Sequence, residues 1–249
     1  MTPPASRALN PASLHPLLWR GKQVAHHIHT LSTGHASLDE ALPGGGWPTG
    51  AVTELVNAAP GCGELSLLLP ALAQLSRKNR WVAMIDPPWI PCPAALHDRG
   101  LALEKLLLIN TNNRNESLWA CEQIVRGISG GAMLTWPGSL SFSELRRLQL
   151  AAKHTRQTIF MFSDQTAARA SSPATLRLQL AANDGDLQVS VLKCRGRRPV
   201  SGIRIRRSQL LQPMPQSIPD DVKSGPSPAA SAELPEISTH GSRNDQLSL

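Results

Sequence analysis

From residue 51 to residue 163, short runs of branched and apolar residues alternate with stretches of helical period, and this alternation leaves few folds open. "AVTELV" (51–56), "WVAMID" (81–86), "GAMLTW" (131–136) and "QTIFMFS" (157–163) have the length and content of buried strands. Between the first two, Leu65, Leu68, Leu69, Leu72 and Leu75 fall on one helical face, with Pro70 expected to bend that helix or shorten its first turn. "AALHDRGLALEKLLLINT" (94–111) reads as helix, turn and strand. "ESLWACEQIVRGIS" (116–129) reads as an amphipathic helix with Leu118, Cys121, Ile124 and Val125 inward. "SFSELRRLQLAAKHT" (141–155) opens on a Ser141–Glu144 capping pair. Upstream, Ser37 can cap a short helix carrying Leu38 and Leu42, which Gly44–Gly46 stop.

After residue 170 the pattern changes. "TLRLQLAAN" (175–183) and "LQVSVLKC" (187–194) alternate around a "DG" turn, and "VSGIRIRRS" (200–208) reads as another strand. Strand–helix alternation followed by antiparallel strands predicts an α/β domain with a mostly parallel central sheet and added antiparallel edge strands.

The 249 residues, 41% hydrophobic and 17% charged, suit one substantial domain with tails. We place an N-terminal extension at 1–30, the core at 31–210, and a Pro/Ser-rich tail at 211–249 with too few large apolar residues to fold alone. Leu14, Leu17, Leu18 and Trp19 form a small apolar knot in the extension. Cys62, Cys92, Cys121 and Cys194 stand singly, without the paired spacing of a zinc site, and His27 and His29 lack further ligands, so no metal is expected. No run has the character of a signal peptide or a membrane span, so a cytoplasmic protein is expected. A net charge of +7 favours an anionic partner.

"VNAAPGCGELSL" (56–67) sits where a strand meets a helix, the place of a phosphate-binding loop. Such loops end in Gly-Lys-Ser/Thr: backbone N–H groups cradle phosphates, the lysine pairs with them, and the hydroxyl holds magnesium. In that frame stand Ala58, Gly61, Gly63, Glu64 and Leu65. Glu64 puts a carboxylate where the cation belongs, and Leu65 removes the hydroxyl. A degenerate nucleotide site without a cofactor is therefore expected.

The stretch "STGHASLDEALPGGGWPTGAVTELV" resembles the start of the RecA-type ATPase core, through Ser32, Thr33, Gly34, Leu38, Asp39, Leu42, Gly45, Gly46, Pro48, Gly50 and Glu54. The order of elements continues over about residues 31–207. The resemblance implies a P-loop-type fold and also where its chemistry departs. Pro88, two residues after Asp86, stands in place of the water-positioning glutamate, and Trp136 in place of the Walker B aspartate. ATP hydrolysis is not expected.

Within that superfamily, "HPLLWRG" and "LLLPALAQLSRKNRWVAMIDPP" resemble the ImuA family, RecA-like accessory proteins of bacterial mutagenic translesion synthesis. This resemblance implies a cytoplasmic SOS-response scaffold. Its partners would be an ImuB-like Y-family polymerase homologue, an error-prone replicative-type polymerase and RecA. The related SulA family, whose members inhibit cell division through FtsZ, is the alternative. A RecA paralogue with a rebuilt nucleotide site, drawing on Lys78 or Lys105, is another.

Two groups of side chains are candidates for partner or DNA contact. Lys193, Arg195, Arg197, Arg198, Arg204, Arg206 and Arg207 lie in a stretch without acidic residues and suit phosphates or an acidic surface, or serve only as a solvated edge that opposes aggregation. Trp47 and Trp89 are loop tryptophans able to anchor an interface or stack on bases. Trp81 and Trp119 are expected in the core.

Overall fold

The computed structural model describes residues 29–57, 60–194 and 198–212. The N-terminal apolar knot, His27, Ala58, Arg195, Arg197 and the tail from residue 213 lie outside the described residues.

Ten strands and six α-helices follow one another among the described residues. β1 (Thr30–Leu31) and β2 (Trp47–Pro48) form a small antiparallel ribbon around α1 (Ala36–Ala41). Then come β3 (Ala51–Asn57), α2 (Glu64–Arg77), β4 (Val82–Ile85), α3 (Pro93–Asp98), β5 (Leu106–Ile109), α4 (Arg114–Gly127), β6 (Ala132–Thr135), α5 (Phe142–Thr155) and β7 (Thr158–Ser163). The last part is β8 (Leu176–Asn183), β9 (Asp186–Cys194), β10 (Val200–Ile205) and α6 (Arg207–Leu211).

The main sheet has the order β10-β9-β8-β3-β7-β6-β4-β5. The strands from β8 to β5 run parallel, and β9 and β10 add antiparallel. All seven residues of β3 are buried, as a central parallel strand covered on both faces requires. Alternate side chains feed two apolar cores. Leu55, Met84, Leu134 and Phe160 meet α2 on one face, while Val52, Ile85, Met133 and Ile159 meet α4 and α5 on the other. The fold is the α/β arrangement that the sequence pattern predicts, and β8 and β9 turn through Asp184 and Gly185, both at positive φ.

The entry segment explains its own motif. Asp39 accepts from the Ser32 hydroxyl (2.7 Å) and the Thr33 N–H (2.8 Å), tying the chain to α1. At Gly34 a Cβ would sit 2.4 Å from the Pro70 Cβ, and at Gly46 it would sit 2.2 Å from the Leu31 carbonyl oxygen, so both positions need glycine. Pro70 leaves α2 continuous over Glu64–Arg77, and it is the partner that Gly34 packs against. α1 begins two residues earlier than the Ser37 cap implies, with His35 at the N-cap. The Ser141–Glu144 capping box forms and, with Arg114, holds the Glu144 carboxyl down at about 2.

Candidate functional site

The carboxyl ends of parallel strands are where open α/β sheets gather their ligand-binding loops. At the end of β3, Gly61 and Gly63 take φ values of 89° and 103°, and Gly63 is the N-cap of α2. The Gly61 N–H donates to Glu64 Oε1 at 2.7 Å. Glu64 is 5% exposed, and its other oxygen, Oε2, is buried without a hydrogen-bond partner among the described residues. A carboxylate at a helix N-terminus is favoured by the unpaired N–H groups and the macrodipole, the same physics that draws phosphate there. The loop therefore holds an anion of its own making.

The neighbourhood of the loop is closed in apolar fashion. Cys62 and Leu65 pack against the core. Burial, and then the charge of Glu64, push the Cys62 thiol up to about 12. A Cβ at Gly63 would lie 3.4 Å from Leu210 Cδ1, so α6 rests on the loop. Arg99 Nη2 donates to the Leu210 carbonyl and pins that helix. Beyond β6, Trp136 stacks on Phe162 with ring centroids 4.2 Å apart and planes 4° from parallel. Asp86, at the end of β4, accepts from the Thr111 N–H (2.6 Å) and hydroxyl (2.8 Å), so both of its oxygens clamp the loop after β5. No three metal-ligating side chains cluster among the described residues.

On the opposite face of the sheet a cleft of about 190 Å³ is lined by Glu54, Arg177, Ser163, Asp164, Phe142 and Leu145, among others. Glu54 and Arg177 are register partners on β3 and β8 and pair at 2.7 Å, with side chains 4% and 7% exposed. Arg177 also donates to the carbonyls of Ala167 and Ala170, and Ser163 donates to Glu54 Oε1. The pair holds the segment after β7 in place. Asp164 caps the short 3-10 turn there, and the Thr166 hydroxyl and Ala167 N–H keep its carboxyl below the usual range.

The candidate contact residues are not brought together. Trp89, after β4, is 64% exposed and Ile90 78%. Trp47 is fully buried, edge-on to Phe160 at 5.3 Å, because β2 closes the α2 core; this corrects its reading as a loop contact. Trp119 is 56% exposed and not in the core, since α4 buries Ser117, Ala120, Cys121, Ile124 and Val125 instead. The described basic residues of the set lie around the far edge of the sheet. Lys193 Nζ donates to the Ser172 carbonyl (2.6 Å). Arg204 pairs with Asp186 (2.6 Å), and the Arg207 N–H donates to the same carboxylate (2.8 Å). Those two bonds, the Arg207 N–H foremost, hold the Asp186 carboxyl below its ordinary value. Arg198, Arg206 and Arg207 are exposed. The stretch read as free of acids thus receives one from the start of β9. Arg177, Arg99 and Leu210 escaped the sequence reading because their partners are more than a hundred residues away in the chain.

Residues 14–134 match the RecA N-terminal domain family. The chain is similar to Protein RecA of Bacillus mycoides (31% identical over 106 residues, 43% of this chain and 31% of that protein). It is also similar to Protein RecA of Leptospira meyeri (32% over 99 residues, 40% of this chain and 25% of that protein). The chain spans less than a third of the length of these relatives. With the sheet described above, the core is RecA-like.

Proposed function

We propose that this RecA-like chain is a non-catalytic accessory protein of SOS-induced mutagenic translesion DNA synthesis, acting in the cytoplasm as a scaffold for a polymerase assembly. The observation that carries the non-catalytic half is the Glu64 carboxylate on the Gly61 N–H. An anion already fills the loop, the lysine and hydroxyl positions are Glu64 and Leu65, and Trp136 and Phe162 stack where a metal-ligating carboxylate would be needed. The ImuA-like segments support the accessory role and name the partners: an ImuB-like Y-family polymerase homologue, an error-prone replicative-type polymerase and RecA. The exposed Arg198, Arg206 and Arg207 suit DNA phosphates at the rim of such an assembly.

Titration calorimetry with ATP and magnesium tests the first half; no saturable heat is expected. Micromolar binding that disappears when residues 60–66 are altered would establish a rebuilt nucleotide site instead. Binding of the purified polymerase homologue and of RecA tests the second half. Truncation at residue 193 is unsuitable, since it removes Ile203, Ile205 and Leu210 from the core. Filamentous growth on expression, relieved by extra FtsZ, would favour the SulA-like alternative.

A further inference from the structure

We propose that Trp89 and Ile90 form a preorganised knob that inserts into an apolar pocket on a protein partner. Both side chains are largely exposed, at 64% and 78%, and they are adjacent. The loop that carries them, "PPWIPCP" (87–93), is more than half proline, which fixes the φ of most of its backbone before any partner arrives. Its ends are anchored: Asp86 is clamped to Thr111 at one side, and α3, with Leu96 buried, begins at Pro93 on the other. A rigid loop loses little conformational freedom on binding, and tryptophan is the side chain most enriched among residues that dominate interfaces.

Charge separates the two classes of partner that an exposed tryptophan could serve. Residues 81–98 contain no lysine or arginine, and they contain Asp86 and Asp98. The guanidinium that follows, Arg99, is engaged with the Leu210 carbonyl. Stacking on a nucleic acid needs cations to meet the backbone phosphates. Residues 81–98 supply none, and Lys193, Arg204, Arg206 and Arg207 lie on or just after β9 and β10, on the other side of the sheet. An apolar pocket on a protein, without an acidic rim, matches the knob. Its occupant is the polymerase homologue of the proposed function, on which this inference rests for the partner's identity.

The test uses the full chain and two probes: the purified ImuB-like polymerase homologue and a fluorescent 30-nucleotide single strand, its length chosen to be about twice a single-strand binding site. Trp89→Ala with Ile90→Ala is expected to weaken the polymerase homologue at least about 30-fold and to leave oligonucleotide affinity unchanged. Ile90→Lys, which keeps the loop and adds a charge, is expected to do the same. Circular dichroism and melting confirm that both variants are folded. Equal binding of the homologue by wild type and variants overturns the knob and leaves the scaffold reading intact. Loss confined to the oligonucleotide overturns it in favour of base stacking. Failure of the wild type to bind the homologue overturns both.

Discussion

Two loops leave the carboxyl ends of parallel strands in the same sheet and treat water in opposite ways. The loop after β3 turns inward: its anion site is filled by Glu64, α6 lies over it, and Cys62 packs into the core. The loop after β4 turns outward and holds Trp89, Ile90 and Cys92 in solvent. In a working phosphate loop, binding free energy is gathered by the first. Here the chain satisfies that loop from within and leaves large apolar area on the second. The difference teaches that a loop on the path of an anion site can be closed by its own residues while a neighbouring loop is left open to solvent.

The sharpest way to break this contrast is thiol chemistry, because each loop carries one cysteine. With its thiol near 12, Cys62 has on the order of a thousandfold less thiolate at pH 8 than an ordinary cysteine, and the thiolate is the reacting species. Mass spectrometry of a brief alkylation is expected to find Cys92 modified and Cys62 untouched, with Cys62 labelling rising only toward strongly alkaline pH. Equal labelling at pH 8 would mean that the first loop is open.

The next test restores the missing chemistry by residue type. Trp136→Asp removes the stack on Phe162 and sets a carboxylate beside the α2 core. We expect a loss of about 3 kcal/mol in urea unfolding and no gain of ATP binding, alone or with Glu64→Lys. Recovered nucleotide binding would show that the site is dormant and not closed. Leu210→Ala should cost less, about 2 kcal/mol, by opening a cavity over Gly63, and it should speed Cys62 alkylation.

The fold was legible because its signals are local. Strand and helix periods along 51–163 set the layers, and the "DG" turn set the β8–β9 hairpin. The residue types of the loop were legible too, Glu64 and Leu65 standing where a phosphate loop has its lysine and hydroxyl. What fills it was not. Leu210 reaches Gly63 and Arg177 reaches Glu54 across long stretches of chain, and neither pairing leaves a periodic trace. Trp47 and Trp119 were misplaced for a related reason. A tryptophan beside Gly46 and Pro48 looks like a loop residue until β2 pairs with β1, and Trp119 sits one position before a buried pair, Ala120 and Cys121.

The smallest expected effect carries the contrast furthest. Trp89→Ala removes a large ring, yet that ring is mostly in water in the folded protein, so little apolar burial is lost with it. Its loop owes its shape to prolines and to the Asp86–Thr111 clamp, none of which the substitution touches. Stability should therefore stay within about 0.5 kcal/mol of wild type, in the range of ordinary surface changes. Urea unfolding of this variant beside Leu210→Ala gives the direct comparison: a smaller side chain deleted from the closed loop should cost several times more than a larger one deleted from the open loop. A loss of about 2 kcal/mol at Trp89 would mean that the ring packs against its own domain, and the outward half of the comparison would fall.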